Sequence, residues 1–234
     1  MGVGNRIIKP LSLVALMAAL VACTSGSGDA LDPVPDSGRS ACGDDLDGGH
    51  GYPAGPYGTT EGQIIPSFCF TGYARPAQGT GEARLVELSL RNFYNPTGDG
   101  TYGPGSPFGE GEPKPKALLI NGSALWCNPC KNEAAQLLPG EYAELHPRGM
   151  EFMVIVVESA SIGEPADFAD LDSWVNEFAV NYVAVLDPVN QMAFRTDTFP
   201  ANALVSTADM TIVKLDYGIP QEGFWAQAEG LLEP

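Results

Sequence analysis

Apolar residues gather in this chain in two kinds of run. Ala117 to Ile120 and Glu151 to Val157 (EFMVIVV) are almost continuous, and the second is rich in β-branched side chains. Runs of this length without alternation suit strands buried on both faces. Val183 to Leu186 is a shorter run of the same kind. Leu85 to Leu90 instead alternates, which predicts a strand with its polar residues toward one face. Ala203-Leu204-Val205 and Thr211 to Leu215 flank Ala208-Asp209, a turn between two antiparallel strands. Helical spacing appears from Cys127 to about Leu145. It returns over Asp167 to Asn181, where Phe168, Leu171, Trp174, Val175 and Phe178 form one stripe. Trp174 is therefore assigned to packing. A last helix is expected over 222–232, with Phe224, Trp225, Ala228 and Leu231 inward. Asp187-Pro188 makes a turn, and a short helix is expected over 190–195. Strands alternating with helices indicate an α/β domain, and the length suits one such domain with residues to spare.

Two stretches lack such patterns. Asn95 to Lys116 is rich in Gly and Pro, with little that could form a core, and reads as a long loop. That length points to a functional segment, either an edge of a binding groove or a solvated insert. Thr24 to Ser40 is Ser, Gly, Asp and Pro, and reads as a tether with a reach of roughly 20–25 Å. Asp44, Asp45 and Asp47 beside Gly48 and Gly49 form an acidic turn. A calcium loop would need a further ligand and a closing Glu.

Charge narrows the function classes. The chain carries 29 acidic against 12 basic side chains, a net charge of −17, near −19 once Arg6 and Lys9 are set aside with the leader. Nucleic acid is excluded as a partner, because its binding needs a positive surface. Adhesion to anionic lipid headgroups is disfavoured for the same reason.

The candidate chemistry is Trp126-Cys127-Asn128-Pro129-Cys130, placed between a predicted buried strand and a predicted helix. A C-x-x-C in that position is the arrangement of a redox dithiol. Cys127 would sit at the helix N-terminus, where unpaired N–H groups and the helix dipole favour a thiolate. Cys130, one turn in, would attack a mixed disulfide formed at Cys127 and would be the less exposed of the two. Pro129 fits an early helical position that needs no N–H. Zinc would require a second ligand pair, and His50, His146, Cys42 and Cys69 are not paired at finger spacing, so no metal is expected. A purely structural bridge stays open. No cofactor is implied.

This segment resembles the active site of thioredoxin-fold oxidoreductases, and more closely the exported TlpA/ResA-like branch. Trp126, Cys127, Pro129, Cys130 and Glu133 match that branch. Ala135 stands where the branch often has Pro, and Asn121 stands where thioredoxin itself has a buried proton-moving Asp. An amide cannot accept that proton, so water or another group must. The resemblance spans roughly residues 57 to 232 and implies a thioredoxin-like fold, a central mixed sheet flanked by helices, with an N-terminal extension. It also implies an opening hairpin over Gly62 to Gly72 and a cis bond at Pro200 beside the dithiol. Phe199 would then offer backbone groups to a substrate chain.

The start of the chain reads as a leader. Arg6 and Lys9 precede an apolar stretch too short to span a bilayer comfortably. Leu20-Val21-Ala22-Cys23 looks like a bacterial lipobox. The expected organisation is a signal peptide over 1–22, a lipidated Cys23 with an acidic tether over 23–56, and the domain over 57–234. Thr24 weakly favours the outer membrane. In an exported chain, Cys42 and Cys69 are most simply a structural bridge, worth roughly 3–4 kcal/mol.

The leading expectation is a lipid-anchored thiol–disulfide oxidoreductase of the cell envelope. Its partners would be disulfides or dithiols of exported proteins and a membrane or periplasmic redox donor. A peroxiredoxin-like peroxidase is a rival, although Ala124 replaces the Thr of the usual peroxidatic motif. A non-catalytic binding or structural lipoprotein using Cys127–Cys130 as a staple is the other.

Overall fold

The computed structural model describes residues 51–187, 189–190 and 198–233. The leader, Cys23, most of the expected tether, and Cys42 lie outside the described residues. So does nearly all of the short helix expected over 190–195.

Seven strands form one mixed sheet. They are β1 (Cys69–Tyr73), β2 (Val86–Ser89), β3 (Ala117–Ala124), β4 (Met150–Glu158), β5 (Val183–Leu186), β6 (Ala201–Ser206) and β7 (Thr211–Tyr217), in the order β2-β1-β5-β4-β3-β6-β7. β3, β4 and β5 are parallel, whereas β1 runs antiparallel to β5 and β6 antiparallel to β3. β1 pairs with β2, so the hairpin expected within 62–72 is instead built from Cys69–Tyr73 and Val86–Ser89. The preceding residues bridge to the far edge, where Gly62 N–H donates to the Ile212 carbonyl and Ile65 N–H to that of Met210. Gly72 is needed where β1 meets β5, because a Cβ there would collide with the Ala184 carbonyl.

The helices are α1 (Asn128–Gln136), α2 (Leu138–Leu145), α3 (Phe168–Glu177) and α4 (Glu222–Gly230). The single helix expected from Cys127 to Leu145 is thus two. Pro139 lies in the first turn of α2, and its missing N–H and ring clash break the helix near Leu137. Asp167 caps α3 by accepting from the N–H groups of Ala169 and Asp170, which completes a capping box. Leu171, Trp174 and Val175 are buried as expected, but Phe168, in the first turn, is 45% exposed.

The period of two in the strands divides the core. Leu119 of β3 and Phe152, Val154 and Val156 of β4 face one side; Leu118, Ile120, Met153, Ile155 and Val157 face the other. The first face is covered by side chains from all four helices, among them Ala134, Leu138, Trp174 and Phe224. Right-handed crossovers from β3 to β4 and from β4 to β5 step the same way along the sheet, which puts their helices on one face.

Among the described residues, the second face receives no α-helix and is covered by irregular chain and the short 3-10 turn Leu90–Phe93. Tyr52, inside the stretch expected to be tether, is buried and donates its hydroxyl to the Ile65 carbonyl at 2.7 Å. Residues 95–116 also contribute, against the expectation of a coreless loop. Tyr102 and Phe108 are buried there with rings stacked at 4.7 Å, and Phe93 meets Phe108 edge-on at 5.2 Å. Asn95 closes the neck of this loop: its amide donates to the carbonyls of Lys114 and Pro115 and accepts from Gly100 N–H. Because Lys116 directly precedes β3, the loop lies at the end of that strand away from Cys127 and does not border the dithiol.

Phe108→Ala should therefore destabilise the protein by about 3 kcal/mol in urea denaturation, the scale for losing a buried aromatic ring. Alkylation of the reduced dithiol should be unchanged. A loss under about 0.5 kcal/mol would mean the loop is a solvated insert.

Candidate functional site: a disulfide beside a buried carboxyl

β3 is buried along its whole length and delivers the chain to Leu125-Trp126-Cys127 at its end. Leu125 and Trp126 are held by N–H bonds to the carbonyls of Glu158 and Ser159, just past the end of β4. Cys127 is the N-cap of α1, with extended backbone (φ −80°, ψ 102°), and Pro129 lies in the first turn as expected. Cys127 and Cys130 form a disulfide with Cα atoms 5.3 Å apart. The Cys127 sulfur also accepts from the N–H of Cys130 at 3.1 Å. Both residues are 1% exposed, so in this oxidised form exposure does not rank them as expected. Position still does, because only Cys127 stands at the open N-terminus of the helix.

The supporting residues gather around the disulfide. The Phe199–Pro200 bond is cis. The Phe199 ring meets Trp126 edge-on with centroids 6.0 Å apart. The indole N–H of Trp126 donates to Glu158 Oε2 at 2.6 Å, and the same oxygen accepts from Gly163 N–H at 2.9 Å. Glu158 therefore fixes the tryptophan to the loop after β4. Pro200 opens the way into β6 and is tied to the end of β7 by its carbonyl, which accepts from Gly218 N–H at 2.8 Å.

Asn121 takes part in a network that sequence reasoning did not assemble. Its amide N–H groups donate to Glu133 Oε2 and to Asn202 Oδ1, each at 2.9 Å, while its oxygen accepts from Ser123 Oγ at 2.7 Å. Asn202 donates to Glu133 Oε1 at 3.0 Å and to the Gly218 carbonyl at 3.2 Å. Glu133 is fully buried, one helical turn beyond Cys130. Burial pushes its pKa up to about 7; the bonds from Asn121 and Asn202 oppose the rise, and the charge of Asp216 adds to it. Glu133 is thus a buried carboxyl raised toward neutrality, and Asn121 and Asn202 hold it in place. Glu133 was visible as a motif match without a role. Asn202 and Glu158 were not singled out. Asn202 had one signal, a carboxamide inside the apolar run ANALV.

Cys69 opens β1, and its expected partner Cys42 lies outside the described residues.

In sequence, no family description matches the chain, and neither does any curated protein. Solved structures match in fold. A candidate thiol:disulfide interchange protein, DsbE, from Chlorobium tepidum superposes with a TM-score of 0.51 at 14% identity, over 74% of this chain and 99% of that one. The thioredoxin domain of a thiol-disulfide oxidoreductase from Bacteroides vulgatus gives 0.49 at 14%, over 74% and 99%. A thiol:disulfide interchange protein from a Bacteroides species gives 0.49 at 15%, over 74% and 90%. At these identities the likeness is one of fold. Together with the dithiol at the junction of strand and helix, the likeness to the Chlorobium protein identifies the chain as having a thioredoxin-like fold.

Proposed function

We propose that this chain is a thiol–disulfide oxidoreductase acting on disulfides of exported proteins through its Trp126-Cys127-Asn128-Pro129-Cys130 dithiol. The observation that carries this reading is the buried Glu133, poised near neutrality one turn from Cys130. A carboxyl without solvent is costly in a purely structural staple, and a carboxyl tuned to the working pH is what proton transfer requires.

The reaction follows from the arrangement. The Cys127 thiolate attacks one sulfur of a substrate disulfide, forming a mixed disulfide and releasing the other sulfur as a thiolate. Glu133 accepts the proton of Cys130. The Cys130 thiolate then attacks the Cys127 sulfur, which releases the second substrate sulfur and leaves Cys127–Cys130 oxidised. A redox donor at the envelope must return two electrons and two protons for the next cycle. The resemblance to thioredoxin-fold oxidoreductases implies that the backbone of Phe199 is where an extended substrate segment would pair.

The surface supports a polypeptide substrate. Among the described residues, the exposed large hydrophobic side chains are Ile162, Phe168, Val189, Tyr217 and Ile219. Ile162 and Phe168 follow β4, Val189 follows β5, and Tyr217 and Ile219 lie at the end of β7. All of these strand ends are on the dithiol side of the sheet. An unfolded or partly folded client would find apolar contacts there.

Export and anchoring belong to the same proposal. Cys23 is the acylated N-terminus, the following acidic residues are the tether, and Cys42–Cys69 pins the extension to the domain. Mass spectrometry of the mature N-terminus should find diacylglyceryl-modified Cys23, and an unmodified N-terminus at another residue would remove the anchor from the scheme.

Two experiments test the chemistry. Cys130→Ala should trap mixed disulfides with client proteins through Cys127, and Cys127→Ala should trap few, read on non-reducing gels; equal trapping would reject the assigned order of attack. The second experiment concerns pH. The Glu133 carboxyl holds its proton in the folded state up to about 7 but loses it near 4.5 when unfolded. The folded state thus binds more protons in that window, and stability falls as pH rises through it. Glu133→Gln should abolish this slope in urea denaturation and be the more stable form at pH 8. It should also slow insulin reduction by about tenfold or more at neutral pH and flatten the limb that rises near 7. A variant with an unchanged pH–rate profile would remove Glu133 from the mechanism.

A further inference from the structure

The cations of this acidic chain are not evenly spread. Four of its 12 Lys and Arg side chains, Arg75, Lys114, Lys116 and Arg148, line one cavity of about 660 Å³. Glu112 and Glu151 are the carboxylates of the lining, which leaves it net positive by two charges with His146 neutral, on a chain of net charge −17. Glu151 lies 3.6 Å from His146 Nε2 and raises the imidazole pKa, so the lining grows more positive as pH falls. The side chains of Arg75, Lys116 and Arg148 make no ion pair or hydrogen bond among the described residues. Cations on an acidic protein have carboxylates in plenty to meet; here three share one concavity with Glu112 and Glu151 and pair with neither.

The cavity lies at the end of the sheet opposite the disulfide. Lys116, Gly149 and Tyr182 immediately precede β3, β4 and β5, and Arg75 follows β1, which runs the other way. The length of β3 puts it roughly 25 Å from Cys127. The loop over 95–116 supplies one wall through Tyr102 and Phe108, and the ammonium of Lys114 lies 5.7 Å from the centre of the Tyr102 ring. Tyr142 and Tyr182 line it as well, with rings 5.3 Å apart. The buried hydroxyl of Tyr182 has no hydrogen-bond partner among the described residues. Arg75 is half-buried, and its charge is felt by both Tyr142 and His146.

We propose that this cavity binds a small organic anion, with an oxyanion head on Arg75 and a flat apolar body against the tyrosine and phenylalanine rings. The volume is in the range of small-molecule sites. A guanidinium without a carboxylate is suited to a bidentate oxyanion. Inorganic anions would leave the aromatic wall unused. The site stands apart from the dithiol and does not depend on the redox reading.

The test is isothermal titration calorimetry of the purified full chain at low salt with two probes, 1-naphthoate and its uncharged counterpart 1-naphthalenemethanol. The naphthoate should bind saturably at one site, at least about tenfold more tightly than the alcohol. Arg75→Ala should weaken it about tenfold and Arg75→Lys should recover part of the loss. Lys214→Ala, which removes a cation far from the cavity, should leave the affinity unchanged. Near-ultraviolet circular dichroism checks that each variant is folded. Equal affinity for the two probes, no saturable binding of naphthoate, or the same loss in Arg75→Ala and Lys214→Ala would overturn the proposal.

Discussion

Glu133 is fully buried and held by two carboxamides from different strands. That constraint shapes the dithiol end of the protein. Asn121 sits on β3 and Asn202 on β6, so both oxygens of Glu133 are claimed and α1 is fixed in rotation over the pair of strands. The helix that carries Glu133 also carries Cys130, and its N-cap is Cys127. The same bonds that orient the carboxyl therefore set where the sulfurs stand. Amide donors favour the charged carboxylate and burial favours the acid. Burial outweighs the amide donors, and the group therefore lies up at about 7 rather than in the ordinary carboxylate range.

The two ends of the sheet have opposite characters. At the C-terminal ends of the parallel strands, apolar side chains stand exposed around a closed disulfide. At the other end, aromatic rings and cations enclose a cavity. A parallel core makes such a division natural, because every loop after a strand falls on one end and every loop before a strand on the other. The net charge of −17 raises the contrast, since four of the 12 cations of the chain line that one concavity.

Much of this was legible in the sequence. Continuous apolar runs marked the central strands, and the C-x-x-C between strand and helix marked the site. The buried carboxyl was harder to read, because Glu133 becomes unusual only when Asn121 and Asn202, far apart in the chain, close over it. Periodicity also missed the core of residues 95–116. Tyr102 and Phe108 are isolated apolar residues among glycines and prolines, and they are buried in the cluster on the second face of the sheet, with no periodic pattern to announce them. Phe168 failed for a local reason: a stripe drawn through a first helical turn takes no account of where the helix leaves the sheet.

The closure of that loop by a single residue has a further meaning. Asn95 ties the incoming and outgoing chain together at Gly100, Lys114 and Pro115, so the geometry at the start of β3 is set at the neck rather than by the loop body. A segment closed in this way separates anchor from tip. Tyr102 and Phe108 are tied to the core, whereas residues 103–107 between them can change in length without displacing the strand that leads to the sulfurs.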